Sequence, residues 1–327
     1  MKELVPEFMR ELTVRLHEHP HGKTWLSAAS GLVCVGDRAY VIADDELQLG
    51  CFTLKGSSEP DAFVPLTLIR LFAGDLPEDK VQRKKLKPDL EVLVLLPPVA
   101  EYPHGALLAM GSGSLAPRCQ AVLISLDAAG EPAGAAKIPL DLQALYEPLR
   151  SHFDDLNIEG AFVMEGEFHL LQRGNNGTPA SARISYPWPP LARWLTGQAA
   201  LPPPASSIRV FELGSVQGVP LSISDAAALH AGSWVFCAVA ENTSDSYHDG
   251  ACLASTVGLI NARGELVQQY RLQGAPKVEG IAVITTNDQG SDEAGNALEL
   301  LLVTDADDPD IAAQLLRVIY PLPESRG

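Results

Sequence analysis

An all-β chain closed into a single β-propeller is the architecture this sequence predicts, and three observations predict it. Five stretches repeat one pattern: a small or acidic residue and an apolar run, a break at Gly or Pro, then a second apolar strand ending in polar residues. The copies begin at Ala29-Ser30-Gly31-Leu32, Asp89-Leu90-Glu91-Val92, Asn157-Ile158-Glu159-Gly160, Ser224-Asp225-Ala226-Ala227 and Val278-Glu279-Gly280-Ile281. The composition suits many short strands, since 20% of the 327 residues are charged and 6% aromatic, while 27 Gly and 25 Pro supply turns. The last repeat, finally, is one strand short, and the N-terminal region alternates in a way that can complete it.

Each repeat divides into strands by period-2 alternation and turn signals. Blade one reads as 30–35, 38–43, 47–54 and 65–72, with Gly36-Asp37 and Asp44-Asp45 as turns. Blade two reads as 90–96, 106–110 and 121–126, with a polar hairpin at 127–130. Asp141 then caps a short helix whose Leu142, Leu145, Leu149 and Phe153 share a face, placed outside the ring. Blade three runs from 158 to 163, breaks at Glu165-Gly166-Glu167, and continues over 168–172. A Pro-rich surface insertion at 187–204 follows within the single domain 1–327. Blade four uses 226–229, 234–238, 255–261 and 265–272; blade five uses 281–285, 298–303 and 315–320. The segment 11–18 sets Leu12, Val14 and Leu16 against Thr13, Arg15 and His17, and is the expected closing strand, removing an open sheet edge. Marks at 30, 91, 159, 225 and 279 lie 61, 68, 66 and 54 residues apart, beyond the ~40 to 45 of a minimal blade. Five blades is the direct count, and six is the alternative if an insertion hides a degenerate blade.

Charge and patterning exclude several classes of function. With 24 Lys+Arg against 41 Asp+Glu, the net charge of −17 repels a phosphate backbone, so nucleic acid is not an expected partner. The N-terminal 22 residues hold no apolar core of signal-peptide length, and no later run reaches the ~20 residues of a membrane helix. A soluble, cytoplasmic protein is the expectation. Five Cys without CxxC spacing, three of them inside apolar strands, read as buried reduced thiols. There is no Gly-x-Ser-x-Gly elbow and no His-Glu-x-x-His. Gly111-Ser112-Gly113-Ser114 lacks the Lys of a phosphate-binding loop. The basic run Arg83-Lys84-Lys85 with Lys87 reads as a solvated loop rather than an anion-recruiting lip, and His17, His19 and His21 alternate beside Pro20.

The chemistry falls at one mouth of the channel. Neighbouring strands are antiparallel, so the start of each inner strand lies beside the end of the second. Ser30, Glu91, Glu159, Asp225 and Glu279 open the inner strands. Asp44, Asp45, Ser112, Ser114, Arg118, Arg173, Asn175, Glu241, Asp245, Tyr247, Asp249, Asp305 and Asp307 follow the second strands. Four carboxylates at equivalent positions repel one another unless a cation, an Arg partner or protonation relieves them. Oxygen-only ligands suit a hard ion, Ca²⁺ more readily than Mg²⁺, with Glu91, Glu159, Asn175, Asp225 and Glu279 as the metal set. The structural alternative has the same acids capping amides or pairing with Arg118 and Arg173.

The Glu159-Gly160 and Glu279-Gly280 pairs, each followed by an apolar strand and then by "LLQRGNNG" or "LLLVTDADDP", give the chain a resemblance to calcium-dependent β-propeller hydrolases. These are the gluconolactonase, regucalcin and strictosidine-synthase-like group and the esterase-like phytase propellers. An uncharacterised bacterial propeller family is similar on the same architecture. The resemblance implies an ion held by Glu159 or Glu279, Asn175 and Asp225, and an esterase or lactonase in which Asp225 or Glu279 is the base. Arg118 and Arg173, with Tyr247 on the same rim, would hold the substrate's anionic group. Ser30-Gly31 in blade one and the count of five depart from that pattern. The other expected function is a non-catalytic propeller that binds a small molecule or a protein, its acids forming a structural network.

Overall fold

In the computed structural model, which describes all residues except 55–63, 179, 246–249, 285–296 and 324–327, the chain forms five antiparallel sheets around a channel. From the channel outwards, blade one is Ala29–Val35, Arg38–Ala43, Gln48–Thr53 and Thr67–Arg70. Blade two is Leu90–Leu96, Ala106–Gly111, Gln120–Leu126 and Pro132–Asp141. Blade three is Ile158–Met164, Glu167–Gln172, Ser181–Pro187 and Ser207–Phe211. Blade four is Ser222–Ala228, Trp234–Glu241, Cys252–Ile260 and Leu266–Leu272. Blade five is Val278–Ile284, Ala297–Thr304 and Gln314–Pro321. The expected five-bladed all-β propeller is the observed fold.

The ring is closed from the N-terminus, but not by residues 11–18. Glu7–Glu11 pairs antiparallel with Gln314–Pro321 as the outer strand of blade five, and Lys2–Leu4 adds a parallel fifth strand to blade four. Leu12 and Val14 are instead buried between blades five and one, where the Leu12 amide donates to Ala313 O and its carbonyl accepts from Leu26. Beyond them the chain turns, so the three histidines share no strand face. His19 is buried on Glu46 at 2.9 Å while His17 is exposed.

Five apolar clusters fill the five wedges between neighbouring blades, as a ring of twisted sheets requires. The wedge between blades two and three is the broadest, because three insertions around the ring include two that pack into it. α1 (Lys80–Leu86) lies in the link from blade one to blade two, its first turn capped by Asp79. α2 (Gln143–Tyr146) runs on into a 3₁₀ turn and buries Leu145, Tyr146 and Leu149 in that wedge. α3 (Trp188–Leu195) occupies the Pro-rich stretch expected as a surface connection. Pro189 and Pro190 fall in its first turn, where a missing N–H costs nothing, and Trp188, Leu191, Ala192 and Leu195 are buried.

All five inner strands carry a register shift near their start, at the second residue in four of them and at the third in blade four: between Ala29 and Gly31, Leu90 and Val92, Ile158 and Gly160, Ile223 and Asp225, Val278 and Gly280. The bulged residues are therefore Ser30, Glu91, Glu159, Ser224 and Glu279. A bulge bends the strand and re-aims one side chain, here at the mouth of the channel. The position after the bulge is crowded. A Cβ on Gly160 would lie 2.7 Å from Asp225 Oδ1, and one on Gly280 would lie 3.0 Å from the Leu32 backbone nitrogen, so glycine lets adjacent inner strands approach.

Candidate functional site

The two bulged serines act as staples between blades. Ser30 Oγ donates to Leu90 O of blade two, and Ser224 Oγ to Val278 O of blade five at 2.8 Å. The three bulged glutamates, Glu91, Glu159 and Glu279, line a small cavity of about 80 Å³ at the mouth. Most of the residues that follow the second strands converge there: Asp44, Arg118, Arg173, Asn175, Glu241, Asp245, Asp305 and Asp307 all line it. Tyr247 and Asp249 lie outside the described residues.

Asp225 lies one step along from the bulge and does not line the mouth. Its Oδ2 accepts from the Ile281 amide of blade five at 3.0 Å, and its Oδ1 lies over Gly160 of blade three, so it ties three inner strands together. Burial pushes its carboxyl well above the usual range, more than the hydrogen bonds from Ile281 and Ala226 pull it back. The repeat mark in blade four is Ser224, and the expectation that placed Asp225 level with Glu159 and Glu279 is off by one residue. Asn175 is also committed locally. Its Oδ1 accepts from Gly177 and Thr178 amides at 2.8 Å, and its Nδ2 donates to Asp155 at 2.7 Å.

Basic side chains interleave the acids. Arg173 reaches carboxylates of three blades: Glu159 Oε2 at 2.9 Å, Glu279 Oε2 at 3.3 Å, and Glu241 through its other terminal nitrogen. Lys277 stands beside it, 2.5 Å from Asp307, 3.4 Å from Glu279 and 3.7 Å from both Glu241 and Asp305. Across the mouth Lys87 bridges Asp44 and Asp89, and Arg118 holds Asp89 at 2.8 Å while donating to Lys84 O at 3.0 Å. Arg83 pairs with Asp45 at 3.0 Å. Thus the basic run forms α1 and its C-terminal cap instead of a solvated loop, and Lys87 is buried. Lys277 is the charged side chain of the mouth that sequence reasoning missed, and Lys87 the one it read as part of a solvated loop. Each lies just ahead of an inner strand, Lys277 two residues before the bulged Glu279 and Lys87 four before the bulged Glu91, so no common spacing marks them.

The electrostatics follow this pairing. Burial lifts Glu279 to about 7 although Arg173 and Lys277 pull it down, and lifts Asp44 to about 6 against Lys87. Burial also acts against Asp89, yet Lys87 and Arg118 outweigh it and hold that carboxyl below its ordinary value. Glu91 is raised well above its ordinary value, by burial first and then by Glu159, Asp89 and Asp44. It makes no hydrogen bond or salt bridge among the described residues. Oxygens of Asp44, Asp89 and Glu91 lie within 4.8 Å of one another. That donor set has the chemistry of a hard-cation site, but the Lys87 ammonium already rests on two of its three members.

Residues 25–319 match a family of unknown function, DUF6929. The chain belongs to that family. No curated protein matches it in sequence. Among solved structures it is similar to the tail fiber of Staphylococcus aureus phage P68, with 11% identity and a TM-score of 0.44, over 98% of this chain and 54% of that one. The chain thus spans about half the length of the tail fiber. It is also similar to the WD40 propeller domain of Doa1, with 8% identity, a TM-score of 0.39 and coverage of 95% and 96%. A Synechocystis apocarotenoid oxygenase matches at 11% identity and a TM-score of 0.33, over 90% and 73%. Among the described residues no helix is long and apolar enough to cross a membrane.

Proposed function

We propose that this DUF6929 propeller is a non-catalytic binding protein whose charged mouth takes a small polar molecule. One observation supports the reading: four of the five expected metal ligands are already partnered within the chain, Glu91 being the exception. Glu159 and Glu279 rest on Arg173, Asp225 accepts a backbone amide, and Asn175 closes its own loop. Carboxylate repulsion, the reason to expect a bound ion, is relieved by Arg173, Lys277, Lys87 and Arg118. Such a network presents fixed donors and acceptors around a cavity without needing to reorganise, which suits recognition of a polar ligand.

A calcium-dependent esterase or lactonase is the second reading, favoured by the Asp44, Asp89 and Glu91 oxygens and by Glu279, whose value of about 7 is that of a general base. A bound Ca²⁺ would supply carbonyl polarisation, and it would have to displace Lys87 to reach Asp44 and Asp89. The thermal midpoint of EDTA-treated protein decides between the two, measured with Ca²⁺, with Mg²⁺ as control, and with a panel of polyols, sugars, amines and amino acids. The binding reading expects a saturable rise with a polar compound and none with Ca²⁺. A calcium-selective rise that disappears in Glu91→Gln would replace it with the hydrolase reading.

A further inference from the structure

Away from the mouth, blade three holds an arginine that no carboxylate answers. Arg183 makes no hydrogen bond and no ion pair among the described residues, although the chain carries 41 Asp+Glu against 24 Lys+Arg. Its Nε is buried without an acceptor, while the residue is half-buried and its terminal nitrogens reach solvent. Side chains alternate along a strand, so Arg183 shares a face with Ser181. Ser181 Oγ accepts from the Ile223 amide of blade four at 3.0 Å, which sets that face toward the wedge between blades three and four.

A second guanidinium stands directly across the ladder. Arg183 and Arg209 are cross-strand partners in the two outer strands of the blade, and like charges so placed repel. Burial first, and then the Arg209 charge, lower the Arg183 guanidinium from its ordinary value. Glu167 opposes that effect without forming an ion pair, and its Oε1 accepts from Ser206 at 2.8 Å. Arg209 is held in place: its Nη1 donates to Arg263 O at 2.6 Å, its guanidinium fills the space a Cβ on Gly264 would take, and it lies 5.7 Å from the centre of the Phe211 ring. Two arginines are therefore kept side by side, and an anion accepting from both would remove the repulsion between them.

We infer that the outer end of the wedge between blades three and four binds a small multivalent oxyanion, a phosphate or a polycarboxylate, across Arg183 and Arg209. The net charge of −17 opposes the approach of a large acidic partner, whereas a compact anion responds chiefly to the local pair. This site is separate from the charged mouth and goes beyond the polar-ligand reading.

Isothermal titration of the full chain at low ionic strength with inorganic phosphate and with citrate, and with chloride as control, tests it. The expected result is saturable binding of phosphate or citrate that Arg183→Met and Arg209→Met each weaken roughly tenfold or more, as loss of a charge-assisted hydrogen bond does. The tighter of the two anions names the headgroup. In chloride, Arg183→Met keeps the apolar stem and removes a charge from beside a like one, so its thermal midpoint should equal or exceed that of wild type. A lower midpoint would mean that the guanidinium is bonded within the fold, and overturns the proposal. So does binding of equal strength in wild type and both variants, or no binding of either anion.

Discussion

Replacing Arg173 by Ala removes a side chain that contacts carboxylates of blades three, four and five at once. All four groups are nearly buried, with side-chain exposures of 11% for Arg173 and 4 to 8% for the glutamates. Breaking a buried pair from one side leaves charge uncompensated, typically at a cost of about 3 to 5 kcal/mol. Part of the charge stays covered, because Lys277 remains within 3.4 Å of Glu279 and 3.7 Å of Glu241, and Asn157 Nδ2 still donates to Glu159. We therefore expect the lower end, about 3 kcal/mol near pH 8, which for a chain of this size lowers the thermal midpoint by about 4 °C. The loss must depend on pH. Glu279 titrates at about 7 in the folded protein, above its ordinary 4.5, and without Arg173 it rises further. A carboxyl raised by folding contributes stability that is complete below its unfolded value and is lost as pH climbs through the folded one. The variant's deficit should therefore shrink from pH 8 to pH 5. Urea unfolding of wild type and Arg173→Ala at both values measures this. A deficit under about 1 kcal/mol at pH 8, or one of equal size at pH 5, refutes the account of Arg173 as the clamp on three carboxylates.

Lys87→Met removes the ammonium between Asp44 and Asp89; added Ca²⁺ should then raise the variant's thermal midpoint while leaving wild type unchanged, a contrast that differential scanning fluorimetry reads directly. Gly160→Ala forces a methyl to 2.7 Å from Asp225 Oδ1 and 2.9 Å from Asp225 Cα, and should cost about 2 kcal/mol in chemical unfolding. Deleting residues 1–11 strips the outer strand from blade five and bares the edge of Gln314–Pro321; the product should elute as aggregates in size-exclusion chromatography, whereas a monodisperse, cooperatively unfolding product would deny the strand its closing role.

The ring itself was legible because period-2 alternation and Gly-rich turns are local signals, and they recur in each blade. What the pattern misplaced depended on distant partners. Residues 12–16 alternate as a strand does, yet Leu12 and Val14 are taken by the wedge between blades five and one, while Glu7–Glu11, with Phe8 exposed, does the pairing. In blade four, Ser224 and Asp225 are adjacent polar residues, and only the register against Cys237 shows which of them is bulged. α3 hides in a Pro-rich stretch because two prolines fall where a helix tolerates them. At the mouth, the acids are visible as repeats, but Lys87 and Lys277 precede the repeat and share no pattern with each other beyond their place. Their role arises from which carboxylates the ring brings within reach.

Glu7 of the outermost strand of blade five is bonded to Arg317, a residue 310 positions later in the chain. During synthesis Glu7–Glu11 must therefore stay without its partner until Gln314–Pro321 has been made. Blades one to three, and the four inner strands of blade four, come from neighbouring sequence, but the fifth strand of blade four and the outer strand of blade five come from residues 2–11. The closing step then joins segments 310 positions apart, the kind of long-range pairing whose loop-closure entropy slows folding.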